Sequence, residues 1–408
     1  MKIAVIGCKG LPAKQGGIEH HCQEIYSRMI EQGHSVDLFA RSSYITNQVF
    51  PRRKIAGINV ISLPCLKVKG MDALLSSALG AIASSGRRYD IVHFHALGPA
   101  LFTWLPKLAT TSKIVVTCHG LDWRRSKWSK ASSQIIRLGE QTAVGFADAM
   151  IVVSHELQSY FQQTYDRETI YITNAPSKLE EPDPNFSYGH SLGLQPKRYI
   201  LFLGRLVPEK CPDLLIKAFQ NLQPEGWKLV LVGGSSDTGN YTSQLFDQVT
   251  GNPKVVFTGE LSGSRLAEIV HQAGLFVLPS EIEGLPLALL EAMQEGIPVM
   301  ASNLPVHQEL LGQDRGLLFS VGDVKSCEHR LDWAIRHPQE LIVMAKNAQQ
   351  YVRREHNWDT ITAETLNLYK EIVREEPTQV SSSQNHLKHM RRVQESIATS
   401  PIAIWRKP

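Results

Sequence analysis

Short runs of aliphatic and β-branched residues alternate with helix-period segments along most of this chain, and the alternation falls into two separate series. Lys2–Cys8, Ser35–Ala40, Asn59–Leu63, Asp90–His95, Lys113–Cys118, Met150–Val153 and Thr169–Thr173 read as strands, with helices such as Glu19–Glu31 and Ser132–Phe146 between them. After Asn174-Ala175-Pro176 comes a polar stretch, residues 177–197, rich in Pro, Glu and Asp. A second series starts at Tyr199–Leu203 and continues through Lys228–Val232, Val255–Thr258, Leu275–Pro279, Ile297–Ala301 and Gly316–Phe319. Strands that alternate with helices lead to parallel sheets covered on both faces. At 408 residues the chain exceeds the roughly 250–300 residues at which single cores stop growing. The expected fold class is α/β, with two Rossmann-like doubly wound domains at 1–176 and 199–355 joined by an interdomain hinge at 177–198. An amphipathic helix within 356–373 and a flexible basic tail at 374–408 complete the expected organisation.

Composition narrows the class of protein. Six cysteines are scattered with no C-x-x-C pair and read as reduced cytosolic thiols. The opening run Met1–Gly7 is too short for a signal peptide, and Met71–Ser85 is too short and too polar to span a bilayer. A cytoplasmic location is therefore expected. Residues 1–190 carry a formal charge of +6, residues 191–373 carry −5 and residues 374–408 carry +3. That asymmetry fits a first domain that meets an anionic membrane surface or lipid phosphate at the inner face of the cytoplasmic membrane. Arg52-Arg53-Lys54 and Arg87-Arg88 are the further basic candidates, with a plain solvated basic face as the other reading. No nucleic-acid partner is expected.

Two segments of the second half carry chemistry. Ser280-Glu281-Ile282-Glu283-Gly284-Leu285-Pro286 leads into a stripe of Leu287, Leu290 and Met293, and Gly296-Ile297-Pro298 stops it. The spacing predicts a helix with Pro286 at its first position, free backbone N–H groups at that end, and Glu291 one turn inside. Gly204-Arg205-Leu206-Val207-Pro208-Glu209-Lys210 supplies two cations. A nucleoside diphosphate needs donors and positive charge for its phosphates and a carboxylate for its ribose hydroxyls.

With seven residues between Glu283 and Glu291, the pair resembles the Glu…Glu motif of the retaining nucleotide-sugar glycosyltransferases of family 4. The resemblance implies two domains facing across a cleft, the GT-B arrangement, and a nucleoside-diphosphate sugar as donor substrate with no other cofactor. It assigns Glu283 to the donor hexose, Glu291 to the ribose, and Arg205 and Lys210 to the diphosphate, with Gly284, Leu285 and Leu287 also at the donor. Many members have Gly-Phe-Gly where this chain has Gly284-Leu285-Pro286, and Pro286 has no N–H to give to a sugar.

The first half contributes three further features. Gly16-Gly17, before a helix, is a contact for the diphosphate or the acceptor, and Glu19 beside it is expected at the acceptor. The resemblance places His119, at a strand end, against the donor sugar. The run His119-Gly120-Leu121-Asp122-Trp123-Arg124-Arg125-Ser126-Lys127-Trp128 resembles a subgroup that includes bacterial rhamnosyltransferases. Trp123 and Trp128 would stack on a sugar while Arg124 and Arg125 hold a lipid pyrophosphate; the other reading is an exposed basic loop over packed tryptophans. His93-Phe94-His95 is read as two strand-end histidines on opposite faces of a strand rather than as a metal pair.

No Asp-x-Asp occurs, so no metal is expected at the diphosphate, whose charge the two cations would meet. The resemblance implies transfer of a hexose or deoxyhexose, with retention, to a glycan or polyprenyl-diphosphate-linked acceptor in surface polysaccharide biosynthesis. It also implies that the last helix returns across the first domain. Two other classes fit the architecture: a sugar-nucleotide epimerase or phosphorylase, and a non-catalytic nucleotide-sugar-binding scaffold.

Overall fold

The computed structural model describes residues 1–13, 16–44, 52–64, 71–125, 129–234 and 239–374. Trp128, Lys127, Cys65 and the tail beyond Arg374 lie outside the described residues. The first sheet has eight strands: β1 (Lys2–Ile6), β2 (Ser35–Arg41), β3 (Arg52–Ile55), β4 (Ile58–Leu63), β5 (Ile91–His95), β6 (Lys113–Cys118), β7 (Ala149–Val152) and β8 (Ile170–Tyr171). They lie in the order β3-β4-β2-β1-β5-β6-β7-β8. The second sheet has six: β9 (Tyr199–Leu203), β10 (Lys228–Val232), β11 (Val255–Gly259), β12 (Leu275–Leu278), β13 (Val299–Ser302) and β14 (Leu317–Phe319), in the order β11-β10-β9-β12-β13-β14.

All pairings are parallel except that of β3 with β4. Helices cover both faces, so the central strands are apolar throughout: Ile3, Ala4, Val5 and Ile6 of β1 are buried, as are Tyr199 to Phe202 of β9. Each sheet reverses its winding beside its first strand, between β1 and β5 and between β9 and β12. Ligands of such sheets bind outside the strand carboxyl ends at that reversal.

Four details depart from the sequence expectations. Strand β3 was not anticipated, because Arg52-Arg53-Lys54-Ile55 has no apolar alternation. It is the outermost strand, where exposed Arg53 and Lys54 blunt an unpaired edge. The stretch expected as a hinge contains a short helix, Ser187–Ser191, flanked by Phe186 and Leu194, which are buried in the second domain's core. Much of 177–198 therefore belongs to that domain. Pro286 caps its helix rather than starting it: the helix runs Leu287–Gln294, and the Pro286 carbonyl accepts from the Leu289 and Leu290 N–H groups. His93 and His95 stand on one face of β5, with rings stacked 4.2 Å apart, because side chains two residues apart on a strand share a face.

The helix Trp358–Arg374 does return to the first domain. Trp358, Leu366, Tyr369 and Ile372 join Ile3, Val5, Ile25 and Met29 in one core, each large side chain contributing roughly 1.5–3 kcal/mol by burial. Among the described residues Cys8, Cys22, Cys118, Cys211 and Cys327 are free and buried, and no helix is long and apolar enough to cross a membrane.

Candidate active site

The second domain supplies a charged wall. Strand β9 ends at Gly204, and Pro208–Lys210 forms a tight turn before the helix Pro212–Leu222. Strand β12 ends at Leu278 and leads to Ser280 and Glu283. The Glu281 N–H donates to the Glu209 carbonyl at 3.0 Å and ties the two loops together. Lys210 Nζ then meets Glu283 Oε1 at 2.5 Å, and Ser280 Oγ donates to the same oxygen at 2.6 Å. Burial alone would raise the Glu283 carboxyl, but Lys210, His307 and Ser280 together hold it below the usual carboxylate range. Behind it, His307 Nδ1 donates to the Ser302 carbonyl at 2.6 Å, and the Ser302 hydroxyl donates to the Ser280 carbonyl.

Glu291 differs from Glu283. Burial pushes its carboxyl up to about 7, although the Ser177 N–H and hydroxyl both favour the ionised form. The charge that acts on it is that of Glu295, which raises it further. Ser177, which the sequence did not single out, is itself 3.3 Å from His20 Nδ1.

The first domain meets this wall backbone to backbone. A Cβ at Gly284 would lie 2.0 Å from the His119 carbonyl oxygen, and one at Gly17 would lie 3.0 Å from Leu287 Cδ1. Glycine is thus required at Gly284 by close approach of the other domain. Leu285 packs on the cores of both domains. Gly16, at φ +96°, starts the helix Gly17–Glu31. Glu19 Oε1 accepts from the Lys9 N–H at 2.9 Å, and this buried carboxylate holds its own loop.

Beneath the loops lies a set of buried imidazoles that no local motif announces. His95 Nδ1 is 3.1 Å from His119 Nε2, and His95 Nε2 is 2.8 Å from the Tyr26 hydroxyl. Tyr26 also reaches His93 Nδ1 at 2.9 Å, which Tyr369 of the last helix meets at 2.5 Å. His93 Nε2 pairs with Thr117 Oγ1 at 2.7 Å, and His21 Nδ1 with Asn174 Oδ1 at 2.6 Å. Burial lowers His93, His95 and His119 well below the ordinary value and His21 to about 4, so these rings are neutral near pH 7.

The loop after His119 divides between the two walls. Arg125 pairs with Asp122 at 3.0 Å. Asp122 first, then Glu209 and Glu283 from the opposite wall, raise its basicity against the effect of burial. Arg205 is lowered by burial and then by the field of Arg125, so the two guanidiniums share one region of the cleft. This puts Arg125, expected at the acceptor, within the field of Arg205, Glu209 and Glu283 of the opposite wall. Trp123 is pinned: its Nε1 donates to Glu140 Oε2 at 2.8 Å, while Tyr160 and Tyr165 donate to Oε1 at 2.8 and 2.5 Å. Arg124 and Arg137 lie 5.2 and 4.7 Å from the Trp123 ring centroid. Beside it a cavity of about 470 Å³ opens between the domains, lined by Leu121, Arg124, Glu156, Tyr160, Pro305 and Glu309. Of these six the sequence had singled out Arg124 alone as a site residue, since Glu156 and Glu309 look like ordinary surface acids on their helices.

Two facing doubly wound domains, with cations and carboxylates at the strand ends of the second, define a transferase cleft of the GT-B kind. Comparison with known proteins gives the family: the model described as glycosyl transferases group 1 matches residues 190–351, and that of glycosyltransferase family 4 matches residues 15–174. Between them they account for most of the chain, which belongs to the GT-B group 1 glycosyltransferases. An uncharacterized glycosyltransferase of Methanocaldococcus jannaschii is 26% identical, covering 91% of this chain and 98% of its own. The D-inositol 3-phosphate glycosyltransferase of Gordonia bronchialis is 25% identical over 90% of this chain and 88% of its own. Among solved structures, sucrose-phosphate synthase of Thermosynechococcus elongatus superposes with a TM-score of 0.79 at 22% identity, covering 91% of this chain and 98% of that one. Anabaena HepE in complex with UDP-glucose gives 0.73 at 21%, covering 90% and 100%.

Proposed function

We propose that this glycosyltransferase moves a hexose or deoxyhexose from a nucleoside-diphosphate sugar to a polyprenyl-diphosphate-linked glycan, with retention of anomeric configuration, in the building of a surface polysaccharide. The observation that carries the donor half is the convergence of Lys210, Arg205 and Arg125 beside buried Glu283. Anomeric C–O cleavage leaves negative charge on the departing diphosphate, and preorganised cations in a water-poor cleft stabilise that charge most. The N-terminal N–H groups of the helix Leu287–Gln294 add to the same field. Three cations can do at the diphosphate what a divalent metal does elsewhere, so transfer is expected to be metal-independent.

The other roles follow from local chemistry. Glu291, buried and held by the Ser177 N–H and hydroxyl, accepts from the ribose hydroxyls. Neutral His119 faces the donor sugar as a hydrogen-bonding group. Glu283 is already engaged by Lys210 and Ser280, which suits a hydrogen-bonding and orienting role better than that of a free nucleophile and supports front-side attack. The UDP-glucose bound by the structurally similar HepE supports a nucleotide-sugar donor. For the acceptor, support comes from the cavity beside Trp123 and Arg124, and for contact with an anionic inner membrane face, from the +6 against −5 charge division.

A titration with the diphosphates of uridine, guanosine, thymidine and adenosine, with and without chelator, tests the donor site. Selective, chelator-insensitive binding that weakens in Glu291→Ala is the expected result. If the protein binds none of the four, the assignment fails.

A further inference from the structure

We propose that His21, His95 and His119 form a site for one divalent transition-metal ion of the zinc class, at the floor of the cleft and apart from the diphosphate cations. The three residues come from distant segments: the helix after Gly16, the end of β5 and the loop after β6. Their ring centroids form a nearly equilateral triangle with sides of 5.3, 5.0 and 5.4 Å. One nitrogen of each ring lies within 4.8 Å of the other two. Zinc–nitrogen bonds of about 2.0–2.1 Å in tetrahedral geometry place ligand nitrogens about 3.3–3.4 Å apart, and the His95–His119 pair already stands at 3.1 Å.

The outer partners fit as well. A metal-bound imidazole usually has its second nitrogen held by a polar neighbour, which fixes the ring and its tautomer. His21 Nδ1 is held by Asn174 at 2.6 Å and His95 Nε2 by Tyr26 at 2.8 Å. Tyr26 is itself held further out: His93 Nδ1 lies 2.9 Å from its hydroxyl and 2.5 Å from that of Tyr369. Metal binding requires the Nε2–H tautomer of His95, which donates to Tyr26 and turns the Nδ1 lone pair toward His119. His21 and His95 are buried while His119 is partly exposed, so three nitrogens face inward and a fourth position opens to the cleft. Imidazole ligands favour zinc, copper, nickel and cobalt over magnesium.

Occupancy has a consequence that rests on the function proposed above. A metal on His119 Nε2, the nitrogen otherwise 3.1 Å from His95 Nδ1, fixes the ring and its tautomer and sets a cation beside the donor sugar, so zinc inhibits transfer and a chelator restores it.

The test uses full-length, tag-free protein titrated with Co²⁺ and Zn²⁺ in the absence of any sugar nucleotide, read by calorimetry and by the visible absorption of four-coordinate Co²⁺. One equivalent binds the wild type, excess Mg²⁺ does not displace it, and His21→Ala loses the site. Asn174→Ala, which keeps all three ligands, weakens binding by about 10–100-fold. Absence of saturable Co²⁺ binding, or binding by His21→Ala equal to wild type, overturns the site whatever the protein's transfer activity. Stoichiometric zinc that leaves transfer unchanged overturns the inhibitory consequence alone.

Discussion

The two walls of the cleft are built on nearly the same strand order, yet they differ in how they hold charge. The second-domain wall is ionic: Lys210, Arg205 and Glu283 come from two short loops at adjacent strand ends, and Glu291 from the helix that follows the second. The first-domain wall is neutral beneath the glycine loop, with four imidazoles and two tyrosines drawn from segments between His21 and Tyr369. A leaving diphosphate needs fixed charge; a sugar ring and an incoming hydroxyl need directional hydrogen bonds. On the proposed function, the division of chemistry between the domains follows from that.

Removing charge from the ionic wall gives the largest effect. Lys210→Ala is expected to lower the transfer rate by about 10²–10³-fold, the range seen when one transition-state donor is lost. Glu283, 8% exposed at its side chain, is left without its cation and its carboxyl rises, so the melting temperature falls while the fold remains. Near-normal turnover would place the chemistry on the other wall.

Separating the walls comes next. A methyl group at Gly284 would meet the His119 carbonyl oxygen 2.0 Å away, and backbone cannot yield as a side chain can. Gly284→Ala should hold the domains apart and lower kcat/KM by about 10²-fold, the scale of an ångström's misplacement, with diphosphate affinity nearly intact. Equal losses of diphosphate binding and turnover would mean that Gly284 serves the donor pocket alone.

The third effect is a pH dependence. Glu291 stands at about 7 in the unliganded protein, against about 4.3 in an unfolded chain. Because the folded value is the higher one, ionisation opposes folding: stability falls as pH rises from about 4.3 toward 7. Donor binding runs the other way, since ribose hydroxyls donate to the ionised carboxylate. Donor affinity should rise up to about tenfold as pH rises through 7, one pKa unit being worth about 1.4 kcal/mol. Glu291→Gln should flatten both curves, measured by calorimetry and thermal melts across that range. A pH slope that survives in the variant would point to another group.

How much of each wall was legible in the sequence follows from its construction. The ionic wall sits on contiguous segments with local signals: the Pro286 helix start, the Leu287-Leu290-Met293 stripe and the Glu283–Glu291 spacing. Only the placement of Pro286 was off, by one position. The neutral wall has no local signal. His21 looks like one of two adjacent helix histidines, Asn174 like a turn residue and Tyr369 like part of an amphipathic stripe; only the fold brings them together. His93 and His95, expected on opposite faces of their strand, share one, because residues two apart on a strand do. Glu140 gave no warning either, since a glutamate inside a helix is ordinarily solvated, whereas this one is buried among Trp123, Tyr160 and Tyr165. Arg125 was legible as a cation, but its approach to the opposite wall depends on how the domains meet.

Trp123 gives the smallest expected effect and the sharpest test of the neutral side. It is flanked by Arg124 and Arg137 and fixed through Nε1 by Glu140, so its ring aligns two guanidiniums beside the interdomain cavity. Trp123→Phe keeps an aromatic face for both cations, contacts worth about 0.5–1 kcal/mol each when exposed, and removes one hydrogen bond to a buried carboxylate, worth about 1.5–3 kcal/mol. The expected outcome is a lower melting temperature and a rise of a few-fold in acceptor KM, with donor affinity unchanged. If donor and acceptor constants move together, the tryptophan supports the whole cleft and the separation of the two walls fails at this residue. If only acceptor KM moves, the aromatic and basic groups after His119 belong to the acceptor even though Arg125, two residues on, lies in the field of the donor cations.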